Sequence, residues 1–197
     1  MNQDAFKDIP AEMVPVMKSA MIIGLIVFDV IYFFYLRNLV GLMKLVSPAN
    51  RRIEPNRIWW LLLTFISSIA IIPLFLNRDL PKIYDTAFDV LEYTTTLFSL
   101  VFTFYMVNKI AESLDIEFKS RRAELDEKPT LNLGLFMCIS QAATLLSDVQ
   151  YISFIGEMAS IAGLIAWIMY WVKTHEYRKK LEAMPPASTT LNDLGIF

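Results

Sequence analysis

The sequence predicts an all-α integral membrane bundle of five transmembrane helices, and three observations carry that prediction. Hydrophobic residues make up 55% of the 197, more than a soluble domain normally holds, and they come in blocks instead of amphipathic periods. Each block approaches the ~20 residues with which a helix crosses ~30 Å of hydrocarbon. Lysine and arginine alternate across the intervals between blocks, as expected where cytoplasmic loops retain positive charge.

Residues 1–18 read as an extracytoplasmic tail, on that alternation of bases, and not as a secretory signal, since their flank is acidic and no small-residue cleavage site follows the first apolar run. The first span, 19–36, is interrupted only by Asp29; the second, 58–76, carries no charge. The third, 87–107, continues without Gly or Pro to Lys128 and is closed by Pro129. Its part beyond Val107 reads as a cytoplasmic helical extension, with Ile110, Leu114, Phe118 and Leu125 on one side. Asp115 with Lys119, Glu117 with Arg121, and Glu124 with Lys128 are acid-then-base pairs at the favourable i,i+4 spacing. The apolar stripe of 107–128 leaves three readings open: packing on the chain's own loops, lying along the membrane surface, or meeting a protein partner.

The fourth span, 131–147, and the fifth, 151–172, are separated only by Asp148, Val149 and Gln150. As one helix they would be about twice as long as a bilayer needs, so a tight hairpin is expected. The five spans and their loops form one membrane domain over 19–181, and residues 182–197 form a polar cytoplasmic tail with an apolar end.

Bases test this division. Lys7 and Lys18 precede the first span; Arg37, Lys44, Arg51, Arg52 and Arg57 follow it; Arg78 and Lys82 come next. Then come Lys109, Lys119, Arg121, Arg122 and Lys128, none between spans four and five, and Lys173, Arg178, Lys179 and Lys180 at the end. The alternation predicts an outside N-terminus and a cytoplasmic C-terminus, and merging the last two spans would spoil it.

The loop SPANRRIEPNRIWW, 47–60, reads mainly as membrane-protein punctuation. Ser47-Pro48 ends one helix, Pro55 suits the first turn of the next, and Glu54 suits a helix N-terminus. Arg51, Arg52 and Arg57 hold the loop inside, while Trp59 and Trp60 anchor it at headgroup depth. Anionic lipid is the alternative role for the arginines.

Little here suggests chemistry. There is one cysteine, Cys138, and one histidine, His175, which exclude an intramolecular disulfide, a Cys-based metal site and paired axial haem ligation within one chain. No Gly-rich phosphate loop, nucleophile elbow or HExxH occurs, so no enzyme, cofactor or nucleic-acid partner is expected. The mechanistic candidates are polar residues at membrane depth: Asp29, Asp89, Glu92, Gln141, Asp148 and Glu157, with Thr96, Ser99 and Thr103 continuing the Glu92 stripe. They fit helix-helix hydrogen bonding or, alternatively, a proton or cation path with Asp29 as the relay. Gly156, Ser160, Gly163 and Ala166 suit close packing of the fifth span.

Short runs, Asn50-Arg51-Arg52-Ile53-Glu54-Pro55 with Ile58-Trp59-Trp60-Leu61, Ile72-Pro73-Leu74-Phe75, Lys109 to Leu114 with Glu117-Phe118, and Tyr170 to Lys173 with Tyr177 to Leu181, carry a resemblance. In these pieces, between about Asn50 and Leu181, the chain resembles a family of small bacterial multi-pass membrane proteins of unknown function. The resemblance implies a bacterial inner (plasma) membrane and transfers no functional residue. The function expected is therefore that of a non-enzymatic accessory or scaffold component of a membrane complex, in contact with the lipid bilayer and with a protein partner or a second copy of itself. The alternative is a small ion- or proton-coupled transporter or channel.

Reporter fusions at Ile53, Lys82, Lys119, Val149 and the C-terminus check the topology. Val149 is expected on the side of the membrane opposite Lys119, and the same side for both would remove the hairpin.

Overall fold

The computed structural model describes residues 13–62, 82–123, 129–144 and 153–185. Four α-helices account for most of these: α1, Val14–Leu45; α2, Lys82–Ser120; α3, Leu131–Thr144; and α4, Ser153–Ala183. A 3-10 turn, Pro55–Trp59, lies between α1 and α2, and no strand occurs among the described residues. The fold is all-α, as the apolar blocks require. Three helices are long and apolar enough to cross a membrane, over Ile23–Leu45, Tyr93–Ser120 and Ser153–Ala183, and the 14 residues of α3 form a shorter apolar helix. Most of the second predicted span, 63–76, lies outside the described residues, as do Asp148, Val149 and Gln150.

The chain divides into two units, Met1–Tyr35 and Leu36–Phe197. In the first unit the described part of α1 exposes Ile23, Ile26, Val27 and Val30, and around Gly24 there is open space. Apolar side chains in this state call for hydrocarbon or another helix.

In the second unit, helix directions follow from which residues meet. Gly134 of α3 faces Tyr170 of α4, and Gly163 of α4 lies against Ser140 of α3, so these two helices are antiparallel. That is the arrangement expected of a hairpin. Asn38 of α1 meets Thr174, and Gly41 meets Arg178, so α1 runs parallel to α4. Phe118 stacks edge-on against Tyr177 and Arg121 reaches Leu181, so α2 also runs parallel to α4. The C-terminal ends of α1, α2 and α4 therefore gather at one end of this unit.

Its core is concentrated toward that end. Leu36, Leu39, Leu42, Met43 and Val46 are buried, with Ile53, Ile58 and Leu61 from the loop and the helical turns after it. Met106, Val107, Ile110, Leu114 and Phe118 contribute from α2, Met137 from α3, and Ala166, Tyr170 and Leu181 from α4. Earlier in α2, Val90, Tyr93, Leu97, Val101 and Phe104 are exposed along one face, as are Ile161, Leu164, Ile165 and Ile168 in α4. Of the small residues proposed for close packing, Gly156, Gly163 and Ala166 are buried and Ser160 is exposed.

The helical extension is shorter than the sequence predicts. It was expected to reach Lys128, but α2 stops at Ser120. Arg122 adopts a left-handed φ of 57°, the Ala123 N–H donates to the Phe118 carbonyl and the Arg122 N–H to that of Lys119. These are the two bonds of a Schellman stop, built here on an arginine where glycine is usual. The acid-base pairs at 115/119 and 117/121 form, whereas 124–128 lies outside the described residues.

Gly134 supplies the closest helix contact. A Cβ there would run into the Val107 side chain and come within 2.9 Å of Tyr170, which is fully buried and cannot swing away. Gly134→Ala is expected to destabilise the fold by about 1–3 kcal/mol, read as an earlier unfolding midpoint in detergent. An unchanged midpoint would mean that α2, α3 and α4 do not meet at this position.

Candidate functional site

The most highly connected polar cluster lies where the three helices end. The α2 candidate span covers 28 residues, about 42 Å, which exceeds the hydrocarbon thickness. Its charged end, from Lys109 onward, therefore projects beyond the apolar core. Glu117 lies on this part, ten residues or ~15 Å beyond Val107. Its register places it on the apolar stripe, seven residues from Ile110 and one before Phe118, so the carboxylate is carried inward with them. The Glu117 side chain is 0% exposed and that of Arg121, one turn on, is 7% exposed.

Every oxygen of this carboxylate is used. Oε1 accepts from Arg121 Nε at 2.9 Å and from the Ser47 hydroxyl at 3.0 Å, with Arg121 Nη2 at 2.8 Å. Oε2 accepts from the Ser47 backbone N–H at 3.0 Å and from Asn50 Nδ2 at 2.7 Å. Burial works against the charge, but the hydrogen bonds from Asn50, Arg121 and Ser47 outweigh it and hold the carboxyl below the ordinary glutamate range.

Arg121 spends its remaining donors on helix ends. Nη2 donates to the Leu45 carbonyl at 3.1 Å, and Nη1 to the carbonyls of Leu181 (3.0 Å), Pro185 (3.2 Å) and Met184 (3.4 Å). The last carbonyls of a helix have no partner within it and carry its negative dipole end. One guanidinium thus serves the ends of α1 and α4 while sitting just past the end of α2.

Two further contacts complete the cluster. Ser113, buried in α2, accepts from the Arg52 backbone N–H at 2.8 Å while donating to the Lys109 carbonyl at 2.6 Å. Between α1 and α4, buried Asn38 donates to Thr174 at 3.2 Å, and its Oδ1 lies 3.3 Å from His175 Nδ1.

The loop arginines divide. Arg51 folds back and donates to the Val46 and Lys44 carbonyls, capping α1. Arg52 is exposed and pairs with Glu112 at 3.5 Å, while Arg57 is exposed without an ion pair among the described residues. Trp59 is half-buried and Trp60 is exposed. Of the intramembrane candidates, Gln141 and Glu157 are exposed on their helices and Asp29 is half-buried, with its Oδ1 screened from solvent. Their side chains make no hydrogen bond or ion pair among the described residues. Thr96 is exposed, and Ser99 and Thr103 are half-buried. The side chains of Asp89 and Glu92, like Asp148, lie outside the described residues. No group of three His, Cys, Asp or Glu among the described residues is placed to hold a metal ion.

Sequence reasoning found Glu117 and Arg121 only as an i,i+4 acid-base pair and missed Ser47 and Asn50 as its partners, as well as the bonds of Ser113, Asn38 and Thr174. One signal was present: a carboxylate standing in the register of an apolar stripe. No family model, curated protein or solved structure matches the chain.

A buried pair resists the loss of one member, because the other is left charged and unpaired. Glu117→Ala and Arg121→Met are each expected to destabilise the protein by about 3–5 kcal/mol, and the Glu117→Leu/Arg121→Met double variant by less than the sum. The sign with pH follows from the lowered carboxyl. The advantage of wild type over Glu117→Gln is full above the ordinary glutamate range and shrinks as pH falls through the lower folded value. Unfolding midpoints across pH measure both, and additive losses or a pH-independent difference would remove the hub.

Proposed function

We propose that the chain is a non-enzymatic accessory or scaffold component of a membrane complex. The observation that carries this reading is how the buried polar groups are used. Glu117, Arg121, Ser113, Asn38 and Thr174 all bond to other parts of the same chain. They build a rigid end to the bundle, while long apolar faces of α2 and α4 remain outward for lipid or other helices. The stripe of Ile110, Leu114 and Phe118 is buried against the chain itself, so a partner would meet the outer faces instead. A bacterial inner membrane, with the gathered helix ends in the cytoplasm, is part of the same proposal; the alternation of basic residues supports the orientation, and the compartment rests on the resemblance alone.

One observation favours a second reading, an ion path: the screened Asp29 Oδ1 in a candidate span accepts no hydrogen bond among the described residues. Affinity purification from membranes in mild detergent separates the two. A second chain in fixed stoichiometry is expected, and the purified protein in proteoliposomes is expected to pass no protons or cations. A protein that elutes alone, with flux that Asp29→Asn abolishes, would replace the first reading with the second.

A further inference from the structure

Among the described residues, charges at the end where α1, α2 and α4 terminate do not balance once the structure has paired them. Five of the acids there are consumed: Glu112 by Arg52 and Lys109, Asp115 by Lys119, Glu117 by Arg121, Glu176 by Lys173, and Glu182 by Arg178. Glu54 is the remaining described acid near the loop. Six bases are left exposed and without an ion pair or hydrogen bond among the described residues; one of them, Lys180, lies over the Tyr177 ring, and the other five are Arg37, Lys44, Arg57, Arg122 and Lys179. Arg37 and Lys44 are two turns apart on one side of α1; Arg57 sits on the 3-10 turn, Arg122 just past α2, and Lys179 in the last turns of α4.

These bases also stand at a defined depth. In α4 the exposed apolar residues Ile165, Ile168, Met169 and Val172 come to an end two turns before Lys179. Trp60, 56% exposed, follows Arg57 by three residues. An apolar belt edged by an aromatic ring and then by uncompensated cations matches the order of acyl chain, interface and headgroup in a bilayer leaflet.

We propose that these five bases form a collar that binds anionic phospholipid headgroups of the adjoining leaflet. The structure changes which residues are concerned: Arg51 is occupied in capping α1 and Arg52 is paired, whereas Arg37, Lys44, Arg122 and Lys179 join Arg57. Charge complementarity selects the ligand, since a phosphodiester headgroup with net negative charge meets bases that no acid among the described residues neutralises, and a zwitterionic headgroup gains little from them. The proposal rests on the membrane reading and is independent of the accessory role.

The test is native mass spectrometry of the full chain, purified in detergent and supplied with equimolar phosphatidylglycerol and phosphatidylcholine. About a tenfold preference for the anionic lipid is expected. The preference should fall to near parity when Arg37, Lys44, Arg57, Arg122 and Lys179 are all changed to Gln, and persist in Arg52→Gln/Arg178→Gln, which removes paired bases. Should the fivefold variant fail to fold by circular dichroism, Lys44→Gln/Arg57→Gln takes its place, with at least a threefold loss of preference expected. Equal retention of the two lipids by wild type, or an undiminished preference in the folded collar variant, would overturn the proposal. Displacement of the anionic lipid by millimolar inorganic phosphate would overturn it as well, by identifying a phosphate site. Loss of both lipids from wild type would count instead against the membrane reading.

Discussion

Three helices that run the same way bring three negative dipole ends to one place, and the second structural unit depends on the positive charge that meets them there. Arg121 is that charge. Its guanidinium offers five N–H groups in a rigid fork, and the structure uses them on Glu117 and on the terminal carbonyls of α1 and α4. A lysine could supply the charge but not this spread of directions. Glu117 in turn fixes the guanidinium in place, and its own desolvation is offset by Ser47 and Asn50.

The loop after α1 takes its shape from the same pair. Ser47 and Asn50 reach Glu117, the Arg52 backbone reaches Ser113, and Arg51 turns back onto the end of α1. The same stretch carries Ile53 and Ile58 into the core. Where this part of the core lies outside hydrocarbon, water supplies a hydrophobic driving force of about 1.5–3 kcal/mol for each large side chain fully buried. Within the membrane that force is absent, and close approach at small residues such as Gly134 and Gly163 takes its place.

This division of labour explains where the polar residues differ. Those of the helix ends are bonded within the chain and act as fasteners. Gln141 and Glu157 instead point outward from their helices. A polar group at the surface of a membrane helix needs water, a headgroup or another helix, so these positions bear on the chain's surroundings more than on its own fold.

Much of the secondary structure was legible in the sequence. Blocks of uncharged apolar residues marked the long helices because only a helix satisfies its own backbone in hydrocarbon, and Ser47-Pro48 marked the end of α1 because proline cannot continue a helix. The separate, antiparallel α3 and α4 were legible from the length of their combined run. The end of α2 was not, since nothing local forbids helix through Glu124; the stop at Arg122 coincides with Arg121 turning toward carbonyls sixty or more residues away in sequence. The hub was half legible. Spacing alone determined that Glu117 and Arg121 could pair, because i and i+4 are neighbours on any helix. That the pair is buried, and that it binds Ser47, Asn50 and the ends of two other helices, only the tertiary structure decided, because hydrogen bonds between distant residues depend on how helices are brought together and leave no periodic trace in the chain.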